Sequence, residues 1–141
     1  MRVIISAGGT GGHIYPALSI INKIKQRDKN AEILYVGTTN RMEKDIIPKY
    51  NIPYYAIKVT GLERKLSINN LKTLKNFIFA VIKMKKKIKE FKPDIVIGVG
   101  GYVTAPVIYA AKKCGYKTLV HEQNSILGLS NKILLKYTDT L

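Results

Sequence analysis

Near its start the chain reads Arg2-Val3-Ile4-Ile5-Ser6-Ala7-Gly8-Gly9-Thr10-Gly11-Gly12-His13-Ile14-Tyr15-Pro16, a β-branched apolar run that breaks into glycines. Arg2–Ser6 has the composition of a buried strand, and the pattern after the glycines predicts a helix over Ile14–Arg27. The glycines let the backbone take positive φ and come close to a ligand. The unpaired N–H groups and dipole at a helix start suit a phosphate. Pro16 fits a first helical turn, where no amide donor is missed. The competing reading is a turn that serves the fold alone.

Two familiar phosphate motifs fail on spacing. The turn lacks a Gly-Lys-Ser/Thr ending, so it is not a nucleotide P-loop. Counted from Gly9, the last glycine position of G-x-G-x-x-G is Ile14, and the second strand ends in Gly37-Thr38 without a ribose-binding acid. A dinucleotide-dependent dehydrogenase is disfavoured.

Working outward, strands are expected at Glu32–Val36, Tyr54–Val59, Asp94–Gly98 and Lys117–His121. Helices are expected near Met42–Tyr50 and over Ser67–Phe91, Thr104–Cys114 and Gly128–Tyr137. Asp139-Thr140-Leu141 reads as the start of a further strand. This alternation predicts an α/β fold, a Rossmann-like parallel sheet flanked by helices with right-handed crossovers. Ligands then bind at the carboxyl ends of the strands.

A second glycine turn follows the fourth strand: Gly98-Val99-Gly100-Gly101-Tyr102-Val103-Thr104, with Pro106 early in the next helix. Two such junctions on one sheet edge suggest a diphosphate or two phosphorylated substrates. The fifth strand ends in His121-Glu122-Gln123-Asn124, polar residues on the same edge. His121 is either a ligand contact or a histidine packed under the loop. Ser125 breaks the H-E-x-x-H zinc pattern, and no Asp-x-Asp pair is present, so neither a metal nor a cofactor is expected.

The 141 residues suit one domain, and 46% apolar with 23% charged residues excludes a disordered tail. Cys114 is alone, which excludes an internal disulfide. No apolar run approaches the roughly 18 residues of a membrane-spanning helix. The net charge is +15, and Arg64 to Lys92 holds ten basic residues against one acid, Glu90. Such a field favours anionic partners. Within this segment Leu74, Phe77, Val81, Met84, Ile88 and Phe91 form a stripe fit to pack on the sheet. Leu71, Ile78, Phe79 and Ile82 fall outside it, among Lys72, Lys75, Lys83 and Lys86. An apolar patch with a lysine rim suits an anionic bilayer, the alternative being a neighbour that buries Ile78 and Phe79. No stacking pattern or nucleic-acid motif accompanies the lysines, so nucleic acid is not expected as a partner.

Together, Gly8–His13, Gly98–Pro106, and His121–Asn124 followed by Gly128, Asn131 and Lys132 resemble the MurG family. Its members are bacterial transferases that add N-acetylglucosamine to a lipid-linked muramyl-pentapeptide in peptidoglycan synthesis. The resemblance covers residues 1–141 as the N-terminal, acceptor- and membrane-binding half of a two-domain GT-B enzyme, with the C-terminal UDP-sugar-binding domain absent. It implies an inverting, metal-independent hexosyltransferase acting at the cytoplasmic face of the plasma membrane. The implied partners are UDP-N-acetylglucosamine, the undecaprenyl-diphosphate-linked acceptor, an anionic membrane and the missing domain in cis or trans.

Residue by residue, the resemblance implies that Gly11, Gly12, Gly100, Gly101, Tyr102 and Val103 hold the acceptor diphosphate. Thr10, Gly11, Gly12 and Asn124 match positions that reach the donor, and His13 matches the base for the acceptor hydroxyl. His121, Glu122 and Gln123 support that edge. Leu71, Lys72, Lys75, Ile78, Phe79, Ile82, Lys83 and Lys86 form the implied membrane patch. Alone, this half is expected to be inactive. The alternative is a non-catalytic subunit that anchors a split glycosyltransferase to the membrane.

Overall fold

The structure, a computed structural model, describes residues 1–60, 68–124 and 129–141. Its strands are β1 (Arg2–Ala7), β2 (Glu32–Thr38), β3 (Tyr54–Ile57), β4 (Ile95–Gly100) and β5 (Thr118–Val120). They form a single parallel sheet in the order β3-β2-β1-β4-β5. Its helices, among the described residues, are α1 (Gly11–Arg27), α2 (Glu43–Ile46), α3 (Ile68–Phe91), α4 (Thr104–Lys113) and α5 (Leu129–Leu134). Tight 3₁₀ turns over Ile47–Tyr50 and Leu135–Tyr137 extend α2 and α5. The chain winds outward from β1 to β3, then returns through α3 to lay β4 beside β1. That reversal leaves a crevice between the carboxyl ends of β1 and β4, where ligands bind in such sheets.

The period-two alternation of the strands explains two separate cores. Ile4, Leu34, Val36 and Val96 meet Met84 and Ile88 of α3 and Val107 and Ile108 of α4 on one face. Val3, Ile5, Tyr35 and Ile97 meet Ile14, Leu18 and Ile21 of α1 on the other. Each buried isoleucine contributes about 1.5–3 kcal/mol, so the central strands are the firmest part of the molecule. Both glycine turns hang from those strands.

Several expected boundaries move. Helix α1 begins at Gly11, not Ile14, because Thr10 is extended (φ −140°, ψ 160°) and its carbonyl accepts the N–H groups of His13 and Ile14 at 3.1 Å. Gly11, Gly12 and His13 are therefore helical, and Pro16 lies inside α1 rather than in its first turn. Strand β3 stops at Ile57, short of Val59, because its neighbour β2 ends at Thr38, opposite Ile57. Strand β5 stops at Val120, although the His121 N–H still donates to the Gly98 carbonyl at 2.8 Å. Thr140 bridges Leu119 in parallel, in keeping with a strand start at that end. The expected helix starts at Ser67 and Gly128 lie outside the described residues, as do Arg64, Lys65 and the side chain of Asn131.

Along α3, Val81, Met84 and Ile88 are buried as expected. Leu74 is not: it is 55% exposed. The inward position at that turn is Thr73, whose hydroxyl lies 3.0 Å from that of Thr60.

Candidate functional site

The first glycine turn is built around a carboxylate. Glu43, from α2, is fully buried. Its Oε1 accepts the Thr38 backbone N–H at 2.8 Å and the Thr38 hydroxyl at 2.6 Å, while Oε2 accepts the Gly9 N–H at 3.2 Å. A Cβ on Gly8 would sit 2.6 Å from Oε1, and one on Gly37 would sit 2.6 Å from the Glu43 Cγ, so both glycines make room for this side chain. Tyr35 donates to the Ala7 carbonyl at 2.8 Å, and Tyr54 donates to the Thr38 carbonyl at 2.5 Å. Burial first, then the nearby Glu43 charge, pushes both phenols well above their ordinary value, which keeps them donors. Above this base the backbone turns through Gly9 at φ +94° into α1. Arg41 Nη2 approaches the Gly9 carbonyl at 3.4 Å from the solvent side.

The second turn is held by a hydroxyl instead. Thr104, fully buried at the start of α4, donates to the Gly100 carbonyl at 3.0 Å, and its oxygen accepts the Gly100 N–H at 3.3 Å. The two turns also touch. The Gly8 N–H donates to the Gly100 carbonyl at 3.2 Å, and a Cβ on Gly101 would run into the Gly8 carbonyl. Gly100 and Gly101, at φ +130° and +90°, lie where only glycine sits without strain. A Cβ on Gly100 would collide with the His13 imidazole. The protein's own packing thus explains these two glycines. It does not explain Gly12, whose absent Cβ would meet only the Thr10 hydroxyl oxygen, at 3.5 Å.

What remains open at the crevice is backbone. Among the described residues, the N–H groups of Gly11 and Gly12 at the start of α1, and of Gly101, Tyr102 and Val103 before α4, have no acceptor. Neither helix carries an acid in its first turn. Both starts therefore present donors and the positive end of the helix dipole, which is the chemistry of an anion site. Val103 offers only its backbone, because its side chain is fully buried. Tyr102 is 58% exposed beside it, and the Thr10 hydroxyl makes no capping bond.

The polar edge after β5 reaches the same crevice. Gln123 donates its Nε2 to the Gly12 carbonyl at 2.7 Å and lies 3.0 Å from His13 Nδ1. The Gly12 carbonyl is free to accept because its usual helical donor, four residues on, is Pro16, which has no N–H. Asn124 is exposed, and its backbone N–H and its Nδ2 both donate to Glu122 Oε1, at 3.1 and 3.0 Å. His121 is half-buried, and its Nδ1 has no partner among the described residues. No group of three side chains able to hold a metal ion occurs among the described residues.

The implied membrane patch stands apart on α3. Leu71, Leu74, Ile78, Phe79 and Ile82 are all at least half exposed. Lys72, Lys75 and Lys86 are exposed alongside, and the Lys75 ammonium lies 5.8 Å from the Phe79 ring centre. Lys83 is turned elsewhere: it donates to the Ala56 carbonyl at 2.9 Å and lies over the Tyr55 ring. Among the described residues, no helix is long and apolar enough to cross a membrane.

Sequence reasoning missed Glu43, Thr38, Tyr54, Arg41 and Thr104. The acid is not at the end of β2: Glu43 lies five residues beyond Thr38 and points inward. The available signal was Gly37, a glycine inside a strand that marks a close approach by another group.

A family model described as "Glycosyltransferase family 28 N-terminal domain" matches residues 3–141. Over 139 residues the chain is 55% identical to a Bacillus subtilis protein named UDP-N-acetylglucosamine–N-acetylmuramyl-(pentapeptide) pyrophosphoryl-undecaprenol N-acetylglucosamine transferase, covering 99% of this chain and 38% of that one. It is 50% identical over 141 residues to the protein of the same name from Halalkalibacterium halodurans, covering 100% and 39%. The crystal structure of Acinetobacter baumannii MurG superposes with a TM-score of 0.84 at 31% identity, covering 98% of this chain and 39% of that one. The chain thus spans about two fifths of the length of the curated relatives it matches. With its parallel sheet, its paired glycine turns and this match over nearly every residue, the chain belongs to glycosyltransferase family 28, as an N-terminal domain of that family.

Proposed function

We propose that this domain forms the acceptor-binding half of an inverting transferase. The enzyme moves N-acetylglucosamine from UDP-N-acetylglucosamine to an undecaprenyl-diphosphate-linked muramyl-pentapeptide. The observation that carries the reading is the pair of adjacent helix starts with unpartnered N–H groups, from Gly11 and Gly12 and from Gly101, Tyr102 and Val103. Such donors suit the acceptor diphosphate. The names of the similar proteins support the choice of sugar and acceptor.

In the proposed reaction the acceptor hydroxyl oxygen bonds to the anomeric carbon as that carbon's bond to the UDP phosphate oxygen breaks. The hydroxyl proton passes to a base, for which His13 is the candidate, and UDP leaves with the bonding pair. Thr10 and Asn124 are the proposed donor contacts from this half. The second domain, in cis or trans, supplies the rest of the donor site. The exposed α3 face, with Lys72, Lys75 and Lys86 beside it, is proposed to rest on the cytoplasmic face of the plasma membrane, where each basic group contributes about 1 kcal/mol.

Vesicle co-sedimentation at two salt concentrations, with and without the lipid-linked acceptor, tests this reading. Acceptor-dependent binding that survives the higher salt is expected. Binding that ignores the acceptor and vanishes with salt overturns it, leaving only a basic surface.

A further inference from the structure

His13 is held by Gln123 in a way that fixes where its ring proton sits. The Gly12 carbonyl oxygen can only accept, so the Gln123 atom 2.7 Å from it is the amide nitrogen. The same nitrogen lies 3.0 Å from His13 Nδ1, and its second hydrogen is available for that contact. Turning the amide over would set its oxygen against the Gly12 carbonyl, so this orientation is forced. Nδ1 is then the acceptor, and the proton of the neutral ring is on Nε2.

The arrangement is anchored on both sides. Pro16, lacking an N–H, leaves the Gly12 carbonyl free for Gln123. Gly100, lacking a Cβ, leaves space for the edge of the ring that carries Nδ1. His13 Nε2, on the far edge, has no hydrogen-bond partner among the described residues.

We propose that Gln123 is a positioning residue that locks His13 in the Nε2–H tautomer. In this state the imidazole offers a hydrogen-bond donor to an oxygen anion. It can take a proton at Nε2 only after a substrate displaces the Gln123 amide and the ring proton moves to Nδ1. The use of that base rests on the transferase reading; the tautomer does not.

Long-range ¹H–¹⁵N correlation of ¹⁵N-labelled protein, at a pH where the imidazoles are neutral, reads the proton directly. The chain has only two histidines, so His13 is assigned by comparison with H121N. The expected wild-type spectrum has an unprotonated Nδ1 in His13. Gln123→Ala, which removes the donor, is expected to release His13 into a mixture of the two neutral tautomers, read as an averaged Nδ1 shift. Gln123 is exposed, so the variant keeps its fold. A protonated Nδ1 in the wild type, or the same tautomer in both proteins, overturns the proposal. The transferase reading fails separately, through loss of acceptor-dependent vesicle binding.

Discussion

The two glycine turns look alike in sequence and are built on different principles. The turn after β1 rests on a buried charge, Glu43, which gathers the Gly9 and Thr38 donors. The turn after β4 rests on a neutral hydroxyl, Thr104, and leans on its neighbour through Gly101. At Gly100 and Gly101 the missing side chains make room for the protein itself. At Gly12 a side chain would make only an ordinary contact with the Thr10 hydroxyl, at a helix start. A glycine-rich turn is therefore not one signal: the protein's own packing accounts for some of its glycines and not for others.

Substitutions can break or sharpen this contrast. The largest effect is expected for Glu43→Ala, which strands the buried Thr38 donors and takes the acceptor from the half-buried Gly9 N–H. A loss of about 3 kcal/mol, read by urea unfolding, follows from the cost of buried unsatisfied groups. A change below about 1 kcal/mol removes the carboxylate as the foundation of the first turn. Gly101→Ala comes next, at about 2 kcal/mol, because it combines positive φ with collision against the Gly8 carbonyl. Its damage is to stability, and binding falls as a consequence.

Gly12→Ala is expected to do the opposite. It adds a methyl group within a helix that meets only the Thr10 hydroxyl oxygen, at ordinary contact distance, so stability rises by about 0.5 kcal/mol. Binding of the diphosphate-linked acceptor weakens nonetheless. Equal affinity in the variant and the wild type assigns Gly12 to the fold as well and erases the contrast.

The smallest effect lies far from the crevice, at Asp139. Its carboxyl is held below the ordinary range first by the hydrogen bond from Lys112, then by the Thr118 N–H. That contribution is complete above the ordinary carboxylate value and is lost as pH falls through the depressed folded one. Asp139→Asn is expected to lower Tm slightly at neutral pH and to converge with the wild type in acid. Parallel Tm curves across that range contradict the assignment.

Most of the fold was legible because it depends on local periodicity. The apolar run Val3–Ile5 and the helical spacing of Val81, Met84 and Ile88 identify their elements without any knowledge of the partner. The two glycine turns were legible for the same reason, since each lies wholly within one strand–turn–helix segment. What stayed hidden is long-range. Glu43 meets Gly9 across 34 residues, and Gln123 meets Gly12 across 111. Nothing in the local composition of either segment announces those meetings. Leu74 was misread because a stripe drawn on hydrophobicity alone passes over Thr73, which is buried and meets the hydroxyl of Thr60.

The contact between the turns has a mechanical consequence. Because the Gly8 N–H grips the Gly100 carbonyl and Gly101 lies flush against Gly8, neither turn can yield while the other stays still. The two sets of open N–H groups therefore keep a constant separation, like the jaws of a locked caliper. A rigid gauge of this kind rewards a ligand for the spacing of its charges as much as for their number. Two anionic groups joined at the right span gain from both jaws at once, whereas the same groups on separate molecules do not.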